Sequence, residues 1–455
     1  MPGLASWPPV SPLGGREAEI HHLLAEAAEG HCLSLVGMSN IGKSFVLRTL
    51  CKAADAEAVG AHLVYVDCNR MVEFTEQGFY ELVLRCLKAA LAPEAESSPL
   101  GAELARCYDD VVSPASPFVA HLRFNSGLAA ASEGSARHIV LVLDEFDEVM
   151  QGMDDRVLLN LRALRDTAPH ELSYITASRR RLGTLRRARG SSEFAELFDQ
   201  NTCFLGPLDC QATAALVGRL AQDDNLAITP EDAPFLYEES GGHPALAISA
   251  AYALSALRQD AQALKRPLSE ERLREQLDSD PACQGECAKL WQEMDDDERH
   301  ALLHWEGQDA PTRQSAWQRL EERHLVVRRG DGAPVVFSHL FATYVRRQRI
   351  VRRAENRGVR VDVEAGDVWV DGRLIPALTD LEYRLLLLLY GHLDRIVDKY
   401  AVVQAVWGQD YIDQVDDARI EKLVSRLRQK IEPDPSQPRY LHTVRGRGYR
   451  LVSGQ

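Results

Sequence analysis

Residues 37–44 read GMSNIGKS and fit the pattern G-x-x-x-x-G-K-[ST]. The apolar run Cys32 to Val36 precedes this stretch, and a helix-like segment, Phe45 to Cys51, follows it. A strand that leads into a glycine-rich loop and then a helix directs several backbone N–H groups, and the positive end of the helix dipole, at one point where phosphates bind. The alternative is a chance match in a glycine-bearing loop. The flanking strand and helix favour a site for ATP or GTP.

Each residue type in this loop has a role in binding a nucleotide. Gly37 and Gly42 let the backbone curve around phosphates because no Cβ intervenes, Lys43 neutralises the β and γ oxygens, and the Ser44 hydroxyl is placed to coordinate Mg²⁺. The predicted nucleotide-binding residues of this region are Gly37, Asn40, Ile41, Gly42, Lys43, Ser44 and Phe45.

A second element of the site follows about a hundred residues later. The apolar run His138 to Leu143 predicts a strand buried on both faces, and it ends in Asp144-Glu145-Phe146-Asp147-Glu148. Carboxylates at the carboxyl end of such a strand lie beside the phosphate loop. We predict that Asp144 binds Mg²⁺ either as a direct ligand or from the second coordination shell, and that Glu145 orients or deprotonates the attacking water. Asp147 and Glu148 are predicted to cap the next helix or to face solvent.

Length and composition favour a large cytoplasmic protein without a membrane span. The 455 residues predict about three domains, and the apolar runs are shorter than the ~20 residues that a span requires. No charged segment followed by an apolar signal core opens the sequence. Nine scattered cysteines favour a reduced compartment, and Cys283 and Cys287 are predicted to be structural because no second Cys/His pair stands at zinc-ligand spacing.

Charge is distributed unevenly. The chain carries a formal charge of −15, yet the segment from Asp416 to the end has nine Lys/Arg against five Asp/Glu. An acidic body repels nucleic acid, whereas a basic tail attracts it. The asymmetry therefore indicates a nucleic-acid-binding function for the C-terminal part.

The order of predicted elements divides the chain into five parts. Strands at Leu63 to Val66 and Ser173 to Ala177 alternate with helices at Phe79 to Leu91 and Arg156 to Arg165, and a partly helical stretch reaches Leu128. This alternation predicts an α/β P-loop NTPase with a doubly wound parallel sheet. The parts are an NTPase core with its N-terminal segment (1–206), a helical lid (207–275), a winged-helix-like unit (276–350), a linker (351–357) and a C-terminal α+β winged helix-turn-helix domain (358–455).

Residues 12–345 resemble the STAND class of signalling NTPases within the AAA+ lineage. The resemblance rests on Gly15-Arg16-Glu17, the phosphate loop, Asp144-Glu145, Thr176-Ala177-Ser178-Arg179 and Gly242-His243-Pro244, followed by a winged helix. It implies that Arg16 lies near the adenine, that Arg179 approaches the γ-phosphate with a catalytic role, and that His243 and Pro244 contact the nucleotide. The alternatives are a surface charge for Arg16 or Arg179 and a bare helix-breaking turn at Gly242-His243-Pro244. Arg162, Arg165, Arg186 and Arg187 are equivalent candidates for an arginine finger.

The last hundred residues predict a small antiparallel sheet followed by three helices and a hairpin. Period-two alternation marks strands at Val359 to Val363, Asp367 to Val370 and Arg373 to Ile375. Thr379 and Glu382 form a predicted capping box. Helices follow at Lys399 to Val406 and at about Asp416 to Ile431, and the second of these carries Arg419, Lys422, Arg426, Arg428 and Lys430.

This region resembles the OmpR/PhoB-type winged-helix DNA-binding domain, most clearly in Thr443-Val444-Arg445-Gly446-Arg447-Gly448-Tyr449. The resemblance implies that the third helix enters the major groove, that Arg445 reaches the minor groove and that Thr443 contacts phosphate. The implied DNA-binding residues are Arg419, Lys422, Arg426, Thr443, Arg445 and Arg447. Base preference is not carried over, because Ala418-Arg419-Ile420-Glu421 departs from the family pattern. Arg428 and Lys430 are either DNA contacts or structural residues, and the whole domain has protein binding as its alternative.

Together these features predict an ATP-regulated transcriptional regulator. The expected cofactors are ATP or ADP and Mg²⁺, and slow ATP hydrolysis is expected to serve as a switch. The expected partners are double-stranded DNA, further copies of the chain and an unknown signal ligand or protein. No membrane partner is expected. Two alternatives remain: an ATP-dependent signalling or antiphage-defence switch whose winged helix binds a partner, and a DNA-remodelling ATPase.

Overall fold

The computed structural model describes residues 6–9, 11, 13–57, 60–91, 98–135, 137–186, 188–264, 269–303, 311–328, 332–355, 358–363, 366–409 and 415–452. The chain divides into two compact units, residues 1–345 and 346–455, and each is described by itself. Among the described residues, no helix is both long and apolar enough to span a bilayer.

A five-stranded parallel sheet forms the centre of the first unit. Its order is β2-β3-β4-β1-β5, so the strand before the phosphate loop lies between β4 and β5. The strands are β1 (Leu33–Val36), β2 (Ala61–Asp67), β3 (His138–Asp144), β4 (Leu172–Ser178) and β5 (Thr202–Phe204). The predicted doubly wound parallel sheet is confirmed; β2, β3 and β4 are slightly longer than the runs that marked them, whereas β1 begins one residue later than its run.

Hydrophobic cores cover both faces of this sheet. Side chains alternate along β3: Val140 and Val142 join one core, whereas Ile139, Leu141 and Leu143 join the other. Alternation of side chains across a strand explains why a strand between two cores reads as a continuous apolar run. Each fully buried aliphatic side chain contributes about 2 kcal/mol of hydrophobic stabilisation.

The helices around the sheet begin at recognisable caps. Ser98 and Ser116 accept hydrogen bonds from backbone N–H groups in the first turns of α4 and α5, and a proline follows each serine. The stretch to Leu128, predicted as partly helical, therefore contains two regular helices. The helices of this part are α1 (Glu17–Ala28), α2 (Lys43–Glu57), α3 (Glu76–Leu91), α4 (Pro99–Val112), α5 (Pro117–Gly134), α6 (Asp147–Gly152), α7 (Asp155–Thr167), α8 (Leu182–Leu185) and α9 (Arg189–Ala195).

Helices dominate the rest of the first unit. They are α10 (Cys210–Asp223), α11 (Ala233–Ser240), α12 (Pro244–Leu264), α13 (Glu270–Ser279), α14 (Pro281–Gln292), α15 (Asp296–Leu303), α16 (Pro311–Glu322) and α17 (His339–Glu355). The hairpin β6 (Val326–Arg328) and β7 (Pro334–Val336) precedes α17. This last helix begins in the first unit, passes the boundary at residue 345 and continues into the stretch assigned to a linker. Cys283 and Cys287 are buried in the core, in keeping with the structural role predicted for them.

The second unit has its own core beneath a leading sheet. Strands β8 (Val359–Val361), β9 (Val368–Val370) and β10 (Arg373–Leu374) pair antiparallel as predicted. Three helices follow, α18 (Asp380–Tyr390), α19 (Lys399–Trp407) and α20 (Asp417–Ile431), before the hairpin β11 (Leu441–Val444) and β12 (Gly448–Leu451). The sequence predicts turns at Ala365-Gly366 and Asp371-Gly372. Ala365 lies outside the described residues, whereas Gly366, Asp371 and Gly372 adopt positive φ angles of 76°, 50° and 75°.

Candidate nucleotide and DNA sites

The phosphate loop joins β1 to α2, as its sequence predicts. Asn40 and Gly42 adopt positive φ angles of 58° and 105°, which curl the loop back toward the helix N-terminus. Lys43 is buried, and its Nζ donates to the carbonyl oxygens of Gly37 at 3.0 Å and Met38 at 3.1 Å. Burial lowers the pKa of Lys43, although nearby carboxylates, Glu293 first among them, oppose this shift. A buried ammonium held inside its own loop fits the recognition of phosphate oxygens.

Asp144 and Glu145 lie at the carboxyl end of β3, as predicted. Asp144 is buried; its Oδ1 accepts from Glu145 N at 3.0 Å and its Oδ2 accepts from the Tyr65 hydroxyl at 2.6 Å. Glu145 has φ +53°, a strained backbone for a non-glycine residue, and burial raises the pKa of its carboxyl group. A base with a raised pKa suits proton abstraction from water near neutral pH.

Tyr65 is a neighbour of this carboxylate that sequence reasoning missed. Burial, with the bond to Asp144, raises the pKa of its hydroxyl, and Arg48 Nε donates to the same oxygen at 3.2 Å. The position follows from the pairing of β2 with β3, which places Asp67 opposite Asp144 and Tyr65 two residues earlier. No local motif marks it, because a tyrosine in a strand is ordinary β-sheet usage.

The sequence prediction for Asp147 was wrong in part. This residue begins α6, yet its side chain is buried instead of facing solvent. Its carboxylate accepts from Arg179 N at 3.0 and 3.2 Å, and Arg179 Nε lies 3.4 Å from Oδ1. The reason is the pairing of β3 with β4, which brings the ends of both strands together. Asp147 thus fixes the segment that carries Arg179, whereas Glu148 is exposed.

A cavity of about 870 Å³ lies beside the loop. Several of the residues predicted to bind the nucleotide line this cavity, among them Arg16, Ile41, Gly42, Phe45 and Pro244. Its size is within the range of small-molecule sites in proteins. Arg16 is buried and not a surface charge: its Nη2 donates to Ile41 O at 3.1 Å and its Nη1 lies 3.2 Å from Glu19 Oε1. The arginine therefore fixes the loop at the mouth of this cavity.

His243 links the helices after the sheet to the phosphate loop. It is fully buried, its Nδ1 accepts from Leu246 N at 3.3 Å, and its Nε2 lies 2.9 Å from Ser39 O. An accepting Nδ1 places the proton on Nε2, which donates to Ser39. Burial lowers the pKa of His243 to about 4. The Gly242-His243-Pro244 turn is thus more than a helix break, because His243 contacts the phosphate loop. The predicted contact of His243 and Pro244 with the nucleotide stays a prediction.

A network of buried charges behind the loop was not foreseen from the sequence. Ser39 N donates to Glu293 Oε1 at 2.9 Å, and Arg323 Nη2 lies 3.0 Å from Glu293 Oε2. Arg180, next to the predicted Arg179, donates to the Glu293 carbonyl and pairs with Glu298. No sequence signal relates these positions, since Ser39 and Glu293 are 254 residues apart.

The arginine-finger candidates are engaged within the unit. Arg162 lies 3.0 Å from Asp166, Arg165 donates to Gly30 O at 3.2 Å, and Arg186 lies 3.0 Å from Asp155. Arg187 lies outside the described residues. None is favoured over the others.

The six predicted DNA-binding side chains all lie on the surface of the second unit. Ile420, Leu423, Val424, Leu427 and Ile431 form the buried face of α20, which leaves Arg419, Lys422 and Arg426 exposed. Thr443, Arg445 and Arg447 are exposed on the hairpin. One basic surface therefore includes a helix and an adjoining hairpin, the two elements that read the major and minor grooves.

Arg428 and Lys430 have structural partners. Arg428 donates to Leu441 O through Nε and Nη2 and to Thr443 Oγ1 at 2.8 Å, which ties α20 to β11. Lys430 lies 2.9 Å from Glu382 Oε2, the same oxygen that accepts from Thr379 N in the predicted capping box. The structural alternative for both residues is therefore supported.

Two family models match separate parts of the chain. The model described as "AAA ATPase domain" matches residues 12–178, and the model described as "Transcriptional regulatory protein, C terminal" matches residues 375–451. The chain combines an AAA ATPase domain with an OmpR/PhoB-type DNA-binding domain. The narrower assignment to the STAND class is not tested by these matches and stays a prediction.

Curated relatives match about a fifth of this chain. An uncharacterized transcriptional regulatory protein of Bacillus subtilis, YrkP, is 39% identical over 93 residues, which are 20% of this chain and 39% of the relative. The sensory transduction protein RegX3 of Mycobacterium bovis is 41% identical over 97 residues, 21% of this chain and 41% of the relative. The chain thus spans about two fifths of the length of these relatives.

Two solved structures are similar to different shares of the chain. A Walker-type ATPase of Pyrococcus abyssi covers 74% of this chain and 98% of its own, at 16% identity and a TM-score of 0.46. The DNA-binding domain of RstA from Klebsiella pneumoniae, solved with the RstA box, covers 21% of this chain and 91% of its own, at 27% identity and a TM-score of 0.19.

Proposed function

We propose that this protein is an ATP-dependent transcriptional regulator whose nucleotide state controls its binding to double-stranded DNA. The observation that carries the proposal is the presence, in one chain, of an AAA ATPase domain and an OmpR/PhoB-type DNA-binding domain. A nucleotide shifts a conformational equilibrium only by its differential affinity for the two states. The proposal therefore requires that at least one nucleotide change the affinity for DNA.

The residues around the loop fit ATP and Mg²⁺. Bound ATP would supply a transferable phosphoryl group, with Mg²⁺ balancing the charge on its oxygens. Lys43 and the loop N–H groups would hold the phosphates, and Ser44 and Asp144 offer the oxygen ligands that Mg²⁺ prefers. Glu145, whose pKa is raised by burial, would accept the proton of the attacking water. Arg179, fixed by Asp147, is our candidate for a contact to the γ-phosphate.

The surface of the second unit supports DNA recognition. In this proposal α20 lies in the major groove and the β11–β12 hairpin directs Arg445 into the minor groove. Arg428 positions the hairpin through Leu441 and Thr443, so that the helix and the hairpin meet DNA together. Homo-oligomers would raise the affinity for repeated DNA half-sites, because the second half-site is bound at a high effective concentration. In this proposal the protein acts in the cytoplasm.

DNA occupancy with and without nucleotide tests this function. Fragments enriched from genomic DNA by the full-length protein would serve as probes in footprinting with ATP, ADP or no nucleotide. We expect nucleotide to change the affinity at least fivefold, the lower range of measured coupling energies. Lys43→Ala should abolish that response, because the ammonium that holds the phosphates is removed.

Two results would contradict the proposal. Identical footprints in all three conditions would show that nucleotide does not control DNA binding. ATP turnover that increases several-fold on addition of duplex, without any change in occupancy, would favour the DNA-remodelling alternative.

A further inference from the structure

Residues of α14 and of the turn before α12 contact the phosphate loop directly. Glu293, which caps the end of α14, accepts from Ser39 N at 2.9 Å, and Glu286 on the same helix accepts from Asn40 Nδ2 at 2.8 Å. The carbonyl group of Ser39 meanwhile accepts from His243. Both polar groups of the Ser39 backbone are therefore used by residues that follow the sheet in sequence.

The Glu293 carboxylate belongs to a rigid, buried cluster. Its side chain and that of Arg323 are each only 4% exposed, and they pair at 3.0 Å. Arg180 donates to the Glu293 carbonyl through Nε at 3.1 Å and Nη2 at 2.8 Å. Arg180 and Arg323 share a second buried partner, Glu298, which is fully buried. Buried ion pairs held by several hydrogen bonds keep their geometry, because breaking one leaves an uncompensated charge.

Glu293 competes for the groups that a terminal phosphate needs. A phosphate at this loop requires free backbone N–H donors and the charge of Lys43. The carboxylate already accepts from Ser39 N, and it is the foremost of the acidic groups that act on the Lys43 ammonium. Ile41, Gly42 and Phe45 line the cavity beside the loop, whereas Ser39 does not line it. The phosphate chain would thus run from that cavity toward Ser39, and its last phosphate would come nearest to Glu293.

We propose that Glu293 is a specificity-determining residue, which makes this site prefer a nucleoside diphosphate and admits a triphosphate only when its carboxylate leaves Ser39. The inference rests on the proposed function, since it assumes that the loop binds a purine nucleotide. Like charges at short range in a partly buried site repel strongly, and the γ-phosphate adds charge where the carboxylate lies. A triphosphate would therefore separate α14 from the loop, and a diphosphate would leave the contact intact.

Nucleotide affinities of the full-length protein test this proposal. Fluorescent ADP and a fluorescent, non-hydrolysable ATP analogue would be titrated with Mg²⁺ into the wild type, Glu293→Gln and Asp296→Asn. Glutamine keeps the shape and the acceptor for Ser39 N but removes the charge. Asp296→Asn removes the same charge from an exposed side chain that pairs with Arg299.

The wild type should bind the diphosphate at least tenfold more tightly. Glu293→Gln should reduce that ratio at least tenfold, about 1.4 kcal/mol, while Asp296→Asn should keep the ratio of the wild type. An unchanged ratio in Glu293→Gln would overturn the inference and leave the proposed function standing. Failure of the wild type to bind either nucleotide would refute the proposed function itself.

Hydrogen exchange on the wild type decides the question without any variant. We expect the diphosphate to protect the peptides that contain residues 37–44 and 281–293, and the triphosphate analogue to increase exchange in residues 281–293. Equal protection by both nucleotides would overturn the proposal, even if Glu293→Gln failed to fold.

Discussion

Buried polar side chains around the phosphate loop are held by specific partners at the scale of single residues. Arg16 donates to Ile41 O, Lys43 to Gly37 O, and Asp144 accepts from Tyr65. A buried polar group without a partner costs roughly 1–3 kcal/mol, so these bonds stabilise the observed arrangement of the site. The nucleotide would meet groups whose positions are already fixed, which lowers the entropic cost of binding.

His243 should make the stability of the first unit dependent on pH. Burial lowers its pKa in the folded state from 6.5 to about 4. Between these values the unfolded chain binds a proton that the folded chain does not, so stability falls as the pH decreases from 6.5 toward 4. The loss attributable to this residue is about 2 kcal/mol at pH 5. Urea unfolding of the wild type and His243→Gln at pH 7 and pH 5 measures it.

Glutamine is a suitable replacement because its amide can donate to Ser39 O and accept from Leu246 N without titrating. The stability of His243→Gln should therefore decrease less than that of the wild type between the two pH values. An equal decrease in both proteins would show that His243 is not the titrating group.

The helix and hairpin of the OmpR/PhoB-type domain depend on each other at the scale of elements. Amphipathic spacing determines which face of α20 is buried, and Arg428 then connects that helix to β11. The hairpin is fixed on its other side by an antiparallel bridge between Val397 and Tyr449. The predicted DNA-binding residues are thus distributed over two elements whose relative position is set by a few contacts.

Gly448 should tolerate no side chain. It has φ +131°, and a Cβ there would lie 2.0 Å from Val397 O. Gly448→Ala should lower the free energy of unfolding of the second unit by about 3 kcal/mol or more, because backbone strain and a steric clash combine. Gly446→Ala is the matched control: its φ is +72°, with no atom within 4 Å of the added Cβ, and it should cost about 1 kcal/mol. Thermal unfolding measures both; equal losses would contradict the role of Val397.

Charge asymmetry matters at the scale of the whole molecule. The protein carries −15 overall, yet its predicted DNA-binding surface is basic. Acidic regions repel DNA over a distance of about 10 Å at 0.1 M salt, whereas direct phosphate contacts release counterions. Binding should therefore depend on salt through the number of phosphate contacts, and hardly through net charge.

Arg445→Ala should reduce the salt dependence of DNA binding by the full-length protein. The slope of log affinity against log salt should decrease in magnitude by about 1, because a cationic side chain in the minor groove lies between the phosphates of both strands and releases about one counterion. Arg384→Ala is the control, because this arginine is on α18 and pairs with Asp380. Gel-shift titrations at salt concentrations from about 50 to 200 mM give the slopes of both variants and of the wild type. The same slope for Arg445→Ala and the wild type would contradict the placement of Arg445 in the minor groove.

The sequence by itself determined those features that depend on neighbouring residues. The phosphate loop, the buried strand before Asp144, the capping box at Thr379 and the basic face of α20 each follow from local spacing. Turn geometry, helix periodicity and capping involve residues within a few positions of one another, so a sequence pattern suffices to predict them.

Only the tertiary structure decided which distant side chains meet. Tyr65 contacts Asp144 and Asp147 fixes Arg179 because of the strand order, whereas Glu293 reaches Ser39 across 254 residues because α14 packs behind the loop. The prediction that Asp147 faces solvent failed for the same reason, since burial is set by the packing of neighbouring strands. These contacts depend on how elements pack after they form, and no local pattern in the chain encodes that packing.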